Sequence, residues 1–298
     1  MKPSPFAYHA PESVDETLTT LSELGEDGKV LAGGQSLIPL LNMRLAAPPA
    51  LVDLARVPEL DTVEVTAEHV RVPARVTHER LRTHAEATAA IPLLRQALDW
   101  VAHPVIRNRG TALGSIVHGD PAGELPALLG LLDGNVELVS TQGRREATAD
   151  SFLLGPLESD VRPGELARAV VFSRPAPRTG SAFEELARRH GDYAMAGVAV
   201  TVTLDPARNV AAARAAFIGV GGTPIGVELT DALSGQAFDA LEPGEAIGLA
   251  RATIDPTDDI HATASYRRHL AGVLLGRALE SAARRAAEDA AAEEGTHT

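Results

Sequence analysis

The sequence predicts an α+β protein with α/β parts, built as two units, and three observations support it. Near the front, KVLAGGQSLIPLLNMR at Lys29 to Arg44 reads as the end of a buried strand, a glycine break and the start of an apolar helix. In the middle, VEVTAEHVRVPARVT and the later run from Asn135 to Phe172 alternate as short strands do. Toward the back, strand-like runs succeed one another and are then closed by helices, the order of a layered α+β domain.

Taken in order, Ser13 and Glu16 form a capping box. Val14, Leu18 and Leu21 then share one face until Gly25 stops a helix over Val14 to Leu24. Val30 and Leu31 end a strand, Gly33 and Gly34 break it, and Ser36 is the N-cap for Leu37, Ile38, Leu40 and Leu41. A brief strand at Ala50 to Leu54 completes a first α/β part, 1–56. A second part, 57–176, holds two short strands within Val63 to Val76, with Glu64, Glu68 and Arg71 outside. Helices follow at Glu79 to Ala85 and Pro92 to Val101, then a polar, glycine-bearing stretch, then strands at Val136 to Val139, Glu146 to Thr148 and Ala169 to Phe172.

Pro175 to Gly180 reads as a linker. The C-terminal unit, 177–285, has strands at Ala182 to Ala187, Ala196 to Leu204 and Ala211 to Val220. Helices are expected at Pro243 to Ala252 and from about His261, with Tyr266, Leu270, Val273 and Leu274 on the buried face of the last. From Ala283 the chain is alanine and glutamate with few large apolar residues, so it is expected to fray, with 286–298 a flexible tail.

Composition excludes several functions. With 298 residues there is room for two domains and a large core. A net charge of -13 and no basic patch argue against nucleic acid and anionic membranes, which recruit positive charge. No apolar run is long enough to span a bilayer and the N-terminus has no secretory core, so a cytoplasmic location is expected. Without cysteine there is no disulfide, no thiolate-ligated zinc and no ordinary cysteine-held iron–sulfur cluster on this chain. A redox centre of its own must therefore be organic.

Strand, glycines and helix start form a shape that grips phosphate, because bare backbone lets an anion approach and free N–H groups face it. One exposed helix end contributes only about 0.3–1 kcal/mol per charge, so a tightly held dinucleotide needs a second loop. The stretch from Arg107 to Pro126 supplies a candidate.

Read together, the two loops resemble those of the FAD-binding medium subunit of the molybdenum hydroxylases, the carbon monoxide dehydrogenase and xanthine dehydrogenase group. The resemblance rests on AGGQSLIPLLNMRLA at Ala32 to Ala46, IRNRGTALGSIVHGDPAGELPA at Ile106 to Ala127, RRHGDYAMAGVAV at Arg188 to Val200 and YRRHL at Tyr266 to Leu270. It implies a two-part FAD-binding domain of the vanillyl-alcohol-oxidase (PCMH) type, followed by a smaller α+β domain. It also implies that Ala32, Gly33, Gly34, Gln35, Ser36 and Leu37, with Thr111, Ala112, Leu113, Gly114 and Ser115, cradle the FAD diphosphate. Asp120 or Glu124 would bond FAD hydroxyls, and Tyr193 would lie against the isoalloxazine ring. Leu113 stands where the family usually has glycine, and Glu185 where many members carry lysine. The implied partners are a small subunit with two [2Fe-2S] clusters and a large molybdenum-cofactor subunit, with NAD, a quinone or oxygen as acceptor and no catalytic acid or base on this chain.

His103 and His118 flank the second loop as candidate donors to phosphate or flavin, whereas His78 with His84 and His261 with His269 read as surface residues. No metal-ligand spacing joins the histidines. Gly219, Gly221 and Gly222 read as a strand end and turn, and Asp258 with Asp259 as a helix N-terminal charge pattern. Two alternatives stand beside the electron-transfer subunit: a stand-alone FAD oxidase or dehydrogenase that takes a small organic substrate near Tyr193, and a scaffold without cofactor.

Overall fold

The computed structural model of the chain describes residues 1–296, with the side chains of residues 1–291. Strand β1 (Ala7–His9) leads to helix α1 (Val14–Leu24), whose start follows the sequence signal: Ser13 Oγ accepts from the Glu16 N–H at 3.1 Å. The Glu16 carboxylate reaches back to the N–H of Glu12, at 2.7 Å. Strand β2 (Gly28–Leu31), helix α2 (Leu37–Met43) and strand β3 (Ala50–Asp53) complete a parallel sheet in the order β1-β3-β2. In α2 only Leu41 is buried, while Ile38 and Met43 are exposed.

Strands β4 (Glu64–Val65) and β5 (His69–Pro73) precede six helices: α3 (His78–Arg82), α4 (Ala85–Ala90), α5 (Pro92–Leu98), α6 (Pro104–Arg107), α7 (Ala112–His118) and α8 (Glu124–Leu131). Strands β6 (Asn135–Ser140) and β7 (Gly143–Thr148) follow, then the short helix α9 (Ala149–Phe152) and a small hairpin, β8 (Leu153–Gly155) with β9 (Glu158–Ser159). Strand β10 (Leu166–Ser173) returns to the centre of an antiparallel five-stranded sheet ordered β4-β5-β10-β6-β7. Arg71, on β5, ties strands together by bonding Glu137 at 2.7 and 2.8 Å and Glu64 at 2.9 Å.

The last part is an antiparallel sheet of β11 (Thr179–Ala187), β12 (Ala194–Leu204), β13 (Val210–Ile218) and β14 (Ile225–Glu228). It is closed by α10 (Thr230–Leu233), α11 (Gly244–Thr253) and α12 (Ala264–Thr296). Both faces of this sheet are buried. Side chains alternate along a strand, so Phe183, Ala199, Ala216 and Ile218 join the core of the first part, while Ala182, Val198, Val200, Ala215 and Phe217 join a second core under α11 and α12. Double burial explains the nearly unbroken apolar run of β12.

Two expectations are corrected at α12. The predicted frayed tail is helical through Thr296, and Ala283, Ala286, Ala287 and Ala290 are buried; residues 297 and 298 lie outside the described residues. The alanines are a contact stripe, since small side chains let α12 press on β11 so closely that a Cβ on Gly180 would stand 2.0 Å from the Ala282 carbonyl oxygen. Tyr266 is 44 % exposed rather than buried, and its neighbour Arg267 takes the inward position at 6 %.

Candidate functional site

The two glycine loops meet. A Cβ on Gly33 would lie 2.2 Å from the Arg109 carbonyl oxygen and 2.6 Å from the Gly110 Cα, so the absent side chain lets one backbone rest on the other. Gly34, with φ +72°, makes the turn into α2 that L side chains resist, and the Ile38 N–H donates to its carbonyl at 3.0 Å. Beside this contact opens a cleft of about 450 Å3 lined by Ala32, Gly33, Gly34, Gln35, Asp53 and Arg109, among others. A small recess of about 80 Å3 nearby is lined by Ala32, Arg75, Thr77, Arg109 and Thr111. At the rim Tyr8 donates to Asp53 at 2.6 Å, a bond that raises the Tyr8 phenol above its ordinary pKa.

The second loop is backed by the turn from β5 into α3. The Ala112 N–H donates to the Val76 carbonyl at 3.0 Å, the His78 N–H donates to the Gly110 carbonyl at 2.9 Å, and Thr77 bridges Thr111. His78, expected at the surface, is 5 % exposed against Gly110, and burial first, then Arg107, lowers its pKa to about 4, so it is neutral at pH 7. His84 accepts from the Ala87 N–H as the N-cap of α4. Within RNRG the arginines divide their work. Arg107 is 9 % exposed and holds the Val101 and Ala102 carbonyls and Glu79, whereas Arg109 is exposed at the cleft with no ion pair among the described residues.

Several assigned members of the cradle also have structural roles of their own. Ser36 makes no capping bond and, with Leu37, is absent from the lining of either hollow. Ala112 and Leu113 are 0 % and 1 % exposed, so the Leu113 side chain is packed in the core. The sequence read this stretch as loop, but Thr111 caps a helix: its Oγ1 accepts from the Gly114 N–H at 3.2 Å, and Gly114 packs near Ala32. Ser115 lies within the same helix.

Seven residues of α7 span about 10 Å and lead to a second group. His118 is lowered in pKa, mainly by burial. The Asp120 carboxylate accepts from the Ala122 N–H at 2.8 Å, and burial pushes Glu124 up to about 7. Tyr193 presents an exposed ring, its phenol raised by desolvation and then by Asp120 and Glu124. His103 packs under the Tyr193 segment, since a Cβ on Gly191 would stand 2.6 Å from its imidazole; Trp100 meets His190 edge-on at 5.8 Å. Sequence reading missed Arg109, Asp53 and Arg267, for which the signals were RNRG, the end of a strand beside the loop, and YRRHL.

Bare backbone, an exposed guanidinium and a cleft between the β2–α2 turn and the α6–α7 turn suit the diphosphate of a dinucleotide, and the exposed Tyr193 ring with the half-buried Asp120 and Glu124 beyond α7 suits a ring and hydroxyls. Among the described residues no cluster of ligands could hold a metal ion, and no helix is long and apolar enough to cross a membrane.

Comparison with known proteins matches two families along the chain. Residues 4–175 match the family described as FAD binding domain in molybdopterin dehydrogenase, and residues 181–282 match the CO dehydrogenase flavoprotein C-terminal domain. The chain is 38 % identical to the 6-hydroxypseudooxynicotine dehydrogenase complex subunit alpha of Paenarthrobacter nicotinovorans, covering 96 % of this chain and 97 % of that one. It is 36 % identical to the carbon monoxide dehydrogenase medium chain of Afipia carboxidovorans, covering 96 % and 99 %. Among solved structures, a chain of the reconstituted CO dehydrogenase from Oligotropha carboxidovorans superposes with TM-score 0.89 at 36 % identity, covering 96 % and 100 %.

Proposed function

This chain belongs to the FAD-binding medium subunits of the molybdenum hydroxylase-type dehydrogenases, and from that premise we propose that it is the electron-transfer subunit of such a complex. It is an oxidoreductase subunit and carries the family's FAD-binding domain. In this proposal the units are residues 1–176 for the cofactor and 177–285 for the C-terminal domain. FAD, when bound, supplies the redox chemistry between the [2Fe-2S] clusters of a small partner subunit and NAD, a quinone or oxygen. A large partner subunit with the molybdenum cofactor oxidises the organic substrate, and the assembly works in the cytoplasm.

The chain's own residues bind and orient. The Gly33–Gly110 contact carries the proposal, because it brings two distant turns to one cleft. Ala32 to Gln35 offer backbone to the diphosphate from one side, and Arg109 offers charge from the other. Asp120 and Glu124 accept from hydroxyls, Tyr193 lies against the ring, and His103 supports the Tyr193 segment. No side chain is required to exchange a proton with substrate. The test is to mix the FAD-loaded chain with its two partner subunits and follow flavin absorbance. Substrate should bleach it only when all three are present, and a chain that oxidises the substrate by itself defeats the proposal.

Arg109→Ala is expected to weaken FAD binding by about 1.5 kcal/mol, roughly tenfold, because a charge-assisted hydrogen bond is lost. The side chain is exposed and has no ion pair among the described residues, so the melting temperature should not move. Fluorescence titration at low and high salt checks both points, the deficit shrinking as salt screens the charge.

A further inference from the structure

In the function proposed above, on which this inference rests, the ring and the diphosphate of FAD have partners and the adenosine has none. The Tyr193 group lies beyond α7, whose seven residues lead away from the glycine turns. The cleft of about 450 Å3 at Gly33 and Gly34 has no residue of α7 in its lining. Its other walls come from Leu31 and Asp53, which end the paired parallel strands β2 and β3, from Ile38 and Pro39 of α2, and from Ile106 of α6. Open sheets with parallel strands take ligands in crevices at these carboxyl ends.

Asp53 is the carboxylate of that lining and Arg109 its cation. The carboxylate is fixed from two sides: the Tyr8 O–H donates to Oδ2 at 2.6 Å, and the Ala55 N–H donates to Oδ1 at 2.9 Å. Tyr8 stands on β1 in register with Leu51, two residues before Asp53 on β3, so phenol and carboxylate share one face of the sheet. An ionised carboxylate has about four lone-pair sites, and these two bonds leave the others open. It only accepts, so it repels a phosphate, which brings no proton at neutral pH, and fits an uncharged hydroxyl or amino group.

We propose that Asp53, aimed by Tyr8, accepts from the ribose hydroxyls of the FAD adenosine, while the adenine lies against Leu31, Ile38, Pro39 and Ile106. The vicinal hydroxyls bring two donors to one carboxylate. Arg109 takes the diphosphate, so opposite charges in one hollow sort the two parts of the ligand. The apolar wall gains a cover: Ile38 is 40 % exposed on a helix in which only Leu41 is buried. Tyr8 is a positioning residue, since it touches the carboxylate and does not itself line the cleft.

The test is titration of the full chain, freed of flavin, with FAD, FMN and ADP, the last two representing the two ends of the cofactor. Asp53→Asn keeps the shape and an acceptor for the Ala55 N–H but removes the charge. A bystander carboxylate only repels an anionic ligand, so its removal would tighten all three or leave them unchanged. A ribose acceptor gives the opposite sign: the variant should bind FAD and ADP roughly tenfold more weakly and FMN no more weakly than the wild type. Tyr8→Phe should weaken FAD and ADP by less and leave FMN alone. The wild type should also prefer ADP to 2′,3′-dideoxy-ADP, a comparison that carries the test even where a variant fails to fold. Equal losses for FAD and FMN, or no preference for ADP over its dideoxy form, overturn the subsite and leave the flavoprotein reading in place. A wild-type chain that takes up no FAD overturns that reading, and the subsite with it.

Discussion

Gly33→Ala is expected to strip the chain of FAD while most of the fold survives. The new methyl would need the position 2.2 Å from the Arg109 carbonyl oxygen, where both contact atoms are backbone and neither can rotate away. Overpacking of this kind costs about 1–3 kcal/mol, and relief requires the loops to separate. If the upper end of that cost falls on binding, affinity drops roughly a hundredfold. Gly226→Ala is the control, because a Cβ there meets nothing within 4 Å. Flavin absorbance after gel filtration, with circular dichroism for the fold, decides the matter. A Gly33→Ala protein that stays fully yellow would show that the loop contact is dispensable.

Arg267→Met is expected to have the largest effect on stability. The guanidinium donates to the Met195 carbonyl at 2.6 Å and the Gly219 carbonyl at 2.9 Å, and pairs with Asp259 at 2.7 Å. It thereby fastens α12 to the start of β12, next to Tyr193, and to the turn after β13. Losing the buried donor to two carbonyls costs about 1–3 kcal/mol each, which lowers the melting temperature by about 10 °C in a chain this long. Asp259 is held down to about 2, first by the Ala262 and His261 N–H groups and then by Arg267. Its contribution is therefore present above the ordinary aspartate range and is lost as pH falls through about 2, and the variant should show a weaker acid limb. Melts at neutral and acid pH measure both, and an unchanged midpoint would reduce Arg267 to a bystander.

The sequence spoke most clearly where short-range chemistry sets the structure. Ser13 and Glu16 announced α1, and alternation announced the later strands, because capping and pleat depend only on near neighbours. It spoke less clearly where distant contacts decide. Gly110, Gly114 and Gly119 made 110–119 look like loop, yet α7 forms there because Ala112, Leu113 and Ile116 are buried in the core. His78 gave no hint that it would lie behind Gly110. The alanines beyond Ala283 looked solvated until Gly180 explained what they touch. At the site, the glycine pair was legible from its own composition, but its backbone contact was not. Gly33 was expected to make room for phosphate, and the structure adds a second reason for the bare position: it rests on the Arg109–Gly110 backbone.

The sheet of β11 to β14 gives Phe183, Ala199, Ala216 and Ile218 to the core of the preceding part. The covalent link at 174–178 is therefore not what keeps the halves together. A protease that nicks there should leave two fragments that travel as one particle through gel filtration and part only under denaturant, so the chain is better regarded as a single body with a dispensable hyphen.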